Sequence, residues 1–179
     1  LTNEEALKFQ SAILFFLLFI LTNIFSQDSS LKAVRAEEER RIKVIEKISP
    51  TVVCIFGIPI AGGGSGVVFL QEGYALTNFH VVQSVGLKGQ GGISDGKLYP
   101  LDVLGIDPGG DISIVKLSGK ESFQAASLGN SENVSVGDFA MALGNPFLLA
   151  EDFTPTITFG VVSGVKRYQG SDGGRMLVY

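Results

Sequence analysis

From residue 51 onward, the chain consists of short apolar runs separated by turn-forming residues. Valine, isoleucine and aromatic side chains dominate the runs, and Gly, Asn, Asp or Pro separates them, which is typical of antiparallel strands joined by tight turns. After Ser49 no segment of helical length carries a 3.6-residue apolar period. The pattern therefore predicts an all-β barrel rather than an alternating β/α fold. The predicted strand runs are TVVCIFG, GVVFL, GYALTNFHVV, YPLDVLGID, DISIVKL, VGDFAMALG and TITFGVVSGV.

A different pattern, one long uncharged apolar run, lies near the N-terminus between Ala12 and Phe25. The run is shorter than the roughly 20 residues with which a helix crosses a bilayer, and it is close in length to the core of an export signal. We expect residues 1–30 to form a hydrophobic leader helix, either a cleaved signal peptide or an uncleaved membrane anchor. A buried core helix is less favoured, because so apolar a run at one end has no evident partner. Both favoured alternatives place the remainder outside the cytoplasm, in the periplasm or at the membrane.

Residues 31–48 predict a second, amphipathic helix. Apolar residues recur mainly at three- and four-residue spacings, with a block of alternating charge among them. They are Leu31, Val34, Ile42, Ile45 and Ile48. Ser49 and Pro50 are expected to end this helix. A charge run of this kind is usually a solvated face, so we assign it no chemistry and expect it to link the leader to the folded body.

Composition narrows the classes of function. The chain has 179 residues, enough for one domain with attachments, and a net charge of −4, which argues against a nucleic-acid binder. Its 45% hydrophobic content excludes a disordered chain. All 23 glycines lie beyond residue 48, so the N-terminal segment and the body from residue 49 to 179 differ in kind. With one cysteine and one histidine, the sequence has neither an internal disulfide nor the ligands for a Cys/His zinc site.

Two residues in the body carry candidate chemistry. The only histidine, His80, follows the run ALTNF and is expected at the end of a strand, and Asp111 stands at the head of the run DISIVKL. An acid at the start of a buried strand needs a hydrogen-bonding partner, and an imidazole is a suitable one, because the carboxylate fixes the ring tautomer. The alternatives are that His80 is a satisfied core residue and that Asp111 caps the preceding Asp-Pro-Gly-Gly turn.

Six segments of the sequence, in order, resemble the HtrA/DegP-type trypsin-like serine proteases. The resemblance covers nearly all of residues 40–179 and implies a double β-barrel fold. It also implies that His80 is the general base and that Asp111 is the acid that orients it. The matching segments are ISPTVVCIFG, GGGSGVVF, YALTNFHVV, DPGGDISIVKL, SLGNSENVSVGDFAMALGNPF and TFGVVSGVKR.

The sequence departs from the family at the nucleophile. In these proteases the reactive serine lies in a Gly-Asn-Ser-Gly-Gly motif after the segment that resembles TFGVVSGVKR, and no such motif occurs before Tyr179. The backbone donors of an oxyanion hole would lie in the same missing segment. We therefore expect residues 49–179 to be a truncated protease domain, with the first barrel complete and the second partial, that is inactive alone.

Other marked residues have ordinary explanations. Ser171, in Gly-Ser-Asp-Gly-Gly, imitates a protease motif but directly follows the VVSGVKR strand, where the family has a surface loop. Ser65 lies in a glycine run without the lysine of a phosphate-binding loop, and Cys54 alternates with apolar residues like a buried hydrophobe. The segment from Gly144 to Phe147 predicts a turn, which the resemblance puts near the active-site loops.

The expected function of the intact protein is that of a serine endopeptidase of HtrA/DegP type. The resemblance implies polypeptide substrates, unfolded proteins among them, a role in protein quality control outside the cytoplasm, and assembly as a homotrimer. No cofactor, metal or nucleic acid is implied, and membrane contact would come from residues 1–30 if they stay uncleaved. The alternatives are a non-catalytic trypsin-like module that binds peptides and, less favoured, a structural β-domain in which His80 and Asp111 are incidental.

Overall fold

The computed structural model describes residues 3–59, 62–145, 152–171 and 174–178, with side chains placed for residues 8, 10–19, 31–59, 62–145 and 152–167. The chain divides into two compact units, Leu1–Ile45 and Glu46–Tyr179.

The described residues of the first unit lie within one long helix, α1 (Asn3–Ile48). The sequence predicts a leader helix and a separate amphipathic helix, whereas α1 continues without a break through residues 26–30. That stretch contains neither glycine nor proline, so helical hydrogen bonding meets no obstacle before Ser49 and Pro50. Within the residues that the structure describes, no helix holds an apolar stretch long enough to cross a membrane.

A closed, antiparallel six-stranded barrel lies within residues 52–117 of the second unit, which confirms the predicted all-β barrel. A 3₁₀ turn, Ser49–Thr51, leads into it. Around the barrel the order is β1, β2, β3, β6, β5, β4, and β4 pairs back onto β1. The strands are β1 (Val52–Phe56), β2 (Gly63–Leu70), β3 (Tyr74–Thr77), β4 (Lys88–Ile93), β5 (Lys97–Asp107) and β6 (Ile112–Leu117).

The barrel interior is filled by alternate residues of these strands. On β6, for example, Val115 and Leu117 are fully buried while Ile112 and Ile114 are exposed, as the two-residue period of a strand requires. Removal of this apolar surface from water is the main stabilising contribution to the barrel. The most deeply buried apolar side chains are Val53, Ile55, Val68, Ala75, Leu101, Val115 and Leu117.

One short helix, α2 (Phe79–Val85), lies between β3 and β4 and carries His80. The prediction that His80 ends a strand is therefore wrong: β3 stops at Thr77, and His80 lies in the first turn of the helix. The helix packs on the barrel through Val81, Val82 and Val85, which are all buried.

The strands after the barrel form two hairpins. The first pairs β7 (Phe139–Gly144) with β8 (Thr156–Val161), and the second pairs β9 (Arg167–Ser171) with β10 (Gly174–Val178). A 3₁₀ turn, Ser131–Asn133, precedes them.

Contacts of Asn145 and Phe153 hold the first hairpin to the barrel. The backbone N–H of Asn145 donates to Ser65 Oγ at 2.8 Å, and the backbone oxygen of Asn145 accepts from Cys54 Sγ at 3.1 Å. On the other side of the β7–β8 connection, the ring of Phe153 stacks on Phe56 with centroids 6.3 Å apart. The end of β7 and the approach to β8 are therefore both docked on strands of the barrel.

Candidate active site

The register of β3 and β6 brings the two candidate residues to one edge of the barrel. The strands are antiparallel, with Thr77 opposite Ser113, so the end of β3 lies beside the start of β6. His80 follows β3 by three residues and Asp111 immediately precedes β6. Two residues 31 positions apart in the chain thus become neighbours through a single pair of strands.

His80 and Asp111 form a direct hydrogen-bonded pair. The ring Nδ1 lies 2.8 Å from Asp111 Oδ2, and the backbone N–H of His80 donates to Asp111 Oδ1 at 3.0 Å. The histidine side chain is 68% exposed and that of the aspartate only 19%. Because Nδ1 faces the carboxylate, the outer ring nitrogen, Nε2, is directed away from it and forms no hydrogen bond to any residue that the structure describes. This arrangement leaves one ring nitrogen to exchange a proton with a substrate or nucleophile.

The turn before β6 determines the position of Asp111. Asp107 Oδ1 accepts hydrogen bonds from the backbone N–H groups of Gly109 and Gly110, at 3.1 and 3.2 Å. The alternative that Asp111 caps this turn is therefore wrong, because Asp107 does so and the carboxylate of Asp111 binds His80. Asp111 itself has a φ of 52°, in the left-handed region, which costs a residue with a side chain about 1–2 kcal/mol.

Asn78 is a third member of the site that the sequence analysis missed. Its Nδ2 donates to the backbone oxygen of Asp111 at 3.0 Å and to Asp111 Oδ2 at 3.2 Å. The signal was available, because Asn is a preferred residue just before a helix. This preference does not single out Asn78 in the sequence, because the short helix after it has no visible helical pattern.

These contacts set the ionisation of the acid. Partial burial raises the pKa of Asp111, but the hydrogen bonds from the backbone and ring of His80, the attraction of its charge and the hydrogen bond from Asn78 together outweigh that effect. The pKa of Asp111 is therefore lowered from its ordinary value. The carboxylate therefore remains ionised at neutral pH.

A glycine on the barrel allows α2 to lie where it does. Gly64 of β2 faces Val81, and a Cβ at position 64 would collide with both methyl groups of that valine. Because Gly64 has no side chain, the helix approaches the sheet closely and places His80 beside Asp111 at the barrel edge where β3 ends and β6 begins.

The other residues singled out in the sequence lie on other elements or outside the described residues. Cys54 is buried in β1, and burial raises the pKa of its thiol to about 11, so it behaves as the inert hydrophobe predicted. Ser171 ends β9 opposite Gly174, Ser65 binds the backbone of Asn145, and positions 146 and 147 of the predicted turn lie outside the described residues. Among the side chains that the structure places, no three of His, Cys, Asp or Glu are grouped to hold a metal ion.

Comparison with known proteins assigns this geometry to a family. Residues 64–179 match the trypsin-like peptidase domain. The chain belongs to the trypsin-like peptidase family. Curated relatives of this trypsin-like peptidase include a probable periplasmic serine endoprotease DegP-like of Chlamydia pneumoniae, which is 40% identical over 106 residues, 59% of this chain and 20% of the relative. Serine protease HTRA1 of Xenopus laevis is 36% identical over 134 residues, 69% of this chain and 28% of the relative.

Solved structures of trypsin-like peptidases resemble it as well. The structure of Deg5 aligns with a TM-score of 0.65 and 31% identity over 77% of this chain and 69% of that one. The HtrA-type protease AlgW, solved with a tripeptide, aligns with a TM-score of 0.60 and 29% identity over 70% of this chain and 40% of that one. The resemblance to HtrA/DegP-type proteases is thus confirmed. The chain spans about a fifth of the length of the first curated relatives that it matches.

Proposed function

We propose that the intact protein is a serine endopeptidase in which His80 is the general base and Asp111 orients it. The observation that supports this most directly is the 2.8 Å contact between His80 Nδ1 and Asp111 Oδ2, with the rest of the ring exposed. Sequence similarity to DegP- and HtrA-named relatives, and the fold shared with the HtrA-type protease AlgW, favour peptide-bond hydrolysis over an incidental pairing of the two residues.

The reaction proceeds through proton transfer at Nε2. This nitrogen takes the proton from a serine hydroxyl as the oxygen attacks the peptide carbonyl, and it later returns the proton to the leaving amine. Asp111 keeps the ring in the tautomer with its proton on Nδ1 and offsets the positive charge that develops on it. Assistance of this kind is worth about 10²- to 10⁴-fold in rate. We propose that the serine and the oxyanion donors come from the segment that carries the Gly-Asn-Ser-Gly-Gly motif in relatives.

The organisation of the chain and its location belong to the same proposal. We assign residues 49–179 to the protease domain, residues 31–48 to a linker and residues 1–30 to an export signal, as a signal peptide or a membrane anchor. The name of the Chlamydia pneumoniae relative, a periplasmic endoprotease, supports export of this protein. Its substrates would be polypeptides, with unfolded proteins the favoured class, and a homotrimer the expected assembly.

The test is proteolysis by the protein expressed from its complete gene. We expect cleavage of an unfolded polypeptide such as reduced casein, loss of at least about 10²-fold in rate with His80→Ala, and an unchanged rate with Ser171→Ala, which serves as the matched control. Binding of the polypeptide without cleavage would instead favour the non-catalytic peptide-binding module. Cleavage that survives His80→Ala would contradict the assigned base.

A further inference from the structure

The side chain of Asn78 is turned away from the helix that it precedes. At the N-cap of α2, an asparagine would normally accept a hydrogen bond from a backbone N–H of the first turn. Asn78 makes no such bond within the described helix. The N–H of His80, one of the groups that a cap would bind, is taken instead by Asp111 Oδ1 at 3.0 Å. Asp111 therefore caps the helix from another part of the chain, and the Asn78 amide is free for a different contact.

That contact is with Asp111 itself. Asn78 Nδ2 lies 3.0 Å from the backbone oxygen of Asp111 and 3.2 Å from its Oδ2. One amide group thus bridges the main chain and the side chain of the same residue. The main-chain bond restrains the backbone of Asp111, whose φ of 52° lies in the left-handed region. The side-chain bond opposes rotation of its carboxylate. Neither the turn residue Asp107 nor the ring of His80 restrains both at once.

We propose that Asn78 is a positioning residue for the acid–base pair. Its amide holds the Asp111 carboxylate in the orientation in which Oδ2 faces His80 Nδ1 and Oδ1 faces the His80 backbone. The consequence for catalysis rests on the proposed function, whereas the consequence for the histidine ring does not.

The chemistry of an amide suits this task. Its N–H₂ group donates two hydrogen bonds and carries no charge, so it orients a carboxylate without neutralising the negative charge that His80 uses. An aspartate at position 78 would have the same size but no donor, and it would repel Asp111. Comparison of Asn78→Ala with Asn78→Asp therefore tests whether the side chain acts as a hydrogen-bond donor or only fills space.

The first test measures the ring of His80 in the 179-residue chain. Because His80 is the only histidine, the imidazole ¹⁵N signals need no further assignment, and they report which nitrogen carries the proton when the ring is neutral. In the wild type we expect the proton on Nδ1. In Asn78→Ala we expect the population protonated on Nε2 to rise at least about twofold, and in Asn78→Asp at least as much.

The control is Asn130→Ala. Asn130 also uses its side chain next to a turn of helix, where Oδ1 accepts from the N–H of Glu132 at 3.0 Å, but it does not contact the pair. This variant should leave the ring signals unchanged. A wild-type spectrum in Asn78→Asp with an altered one in Asn78→Ala would overturn the proposal, because only the volume of the side chain would then matter. Wild-type spectra in both variants would overturn it as well.

The second test uses the protein expressed from its complete gene. Loss of the orienting amide should lower kcat about 10-fold in both Asn78 variants and leave KM within about twofold, since Asn78 acts on the base rather than on substrate. Asn130→Ala should retain wild-type kcat. A wild-type kcat in Asn78→Asp contradicts the positioning role. If the wild type cleaves no peptide, the proposed function fails, and the ring spectra still decide the role of Asn78.

Discussion

Asp111 binds His80 at two points, with Oδ1 on the backbone N–H and Oδ2 on the ring. One carboxylate thereby fixes both the first turn of α2 and the orientation of the imidazole that this helix carries. The backbone bond prevents the helix start from moving relative to β6, so the ring contact does not depend on side-chain rotamers alone. A histidine held only through its ring would lose more conformational entropy when it becomes oriented.

The first prediction follows from this double contact. Asp111→Asn keeps the shape of the side chain but has one acceptor oxygen, so it cannot satisfy both the backbone N–H and the ring as acceptor. We expect a fall in kcat of about 10³- to 10⁴-fold in the protein from the complete gene. The matched control is Asp102→Asn, whose carboxylate lies on the barrel surface 3.7 Å from Lys88. A fall of less than tenfold for Asp111→Asn would contradict the role of the acid.

The second prediction concerns acid stability. The pKa of Asp111 is lower in the folded chain than its ordinary value of 3.8, so the folded state holds its proton less tightly than the unfolded state does. Its contribution to stability is therefore complete above the ordinary pKa and is lost as pH falls through the lowered one. The free energy of unfolding, measured in urea between pH 6 and about pH 2, should fall less steeply in Asp111→Asn than in the wild type. Parallel curves would contradict this contribution.

The third prediction tests how closely α2 lies against the barrel. Gly64→Ala places a methyl group against Val81, and overpacking of this kind costs about 1–3 kcal/mol in the free energy of unfolding. The variant should also disturb the His80 ring signals, because Val81 is the next residue. Gly105→Ala is the control, since a Cβ there meets no described atom within 4 Å. It should change stability by no more than about 0.5 kcal/mol.

The fourth prediction uses Cys54 as a reporter of barrel opening. With a pKa of about 11, the native thiol is ionised in roughly one molecule in a hundred at pH 9, against about half for an ordinary thiol. Alkylation by iodoacetamide at pH 9 should therefore be at least about 50-fold slower in the native chain than in urea. The stability that the buried neutral thiol contributes is complete below pH 9 and is lost as pH rises toward 11. Equal native and denatured alkylation rates would show that β1 is accessible.

Strands could be predicted from the sequence where their own side chains are typical of strands. They could not be predicted where packing against distant residues requires glycine. β1, β3 and β6 are rich in Val, Ile and Leu, and their runs were recognised. β4 was missed because its sequence, KGQGGI, has the composition of a loop. Gly91 and Gly92 belong there because a Cβ at these positions would collide with the Leu117 side chain and the Phe153 ring. That requirement comes from residues distant in sequence, so no local pattern carries it.

The candidate site was predictable as a pair but not as a cluster. His80 and Asp111 stood out by residue type and by the resemblance to a family, and the structure brings them together. The helix that holds His80 spans only seven residues and is rich in Val, which is too short for a helical period to be visible. Without that helix, Asn78 looked like an ordinary residue in a strand run, and its contact with Asp111 depends on the strand register.

Because β3 and β6 belong to the same barrel, His80 and Asp111 are brought together by the strand pairing within residues 52–117. During synthesis on the ribosome the N-terminal part of a chain emerges first and domains generally fold as units. The imidazole and the carboxylate therefore have the means to meet once Leu117 has left the exit tunnel, while β7 and all later segments have not yet emerged from the ribosome. Assembly of the proposed acid–base pair would then precede, in time, the release of every later segment from the ribosome.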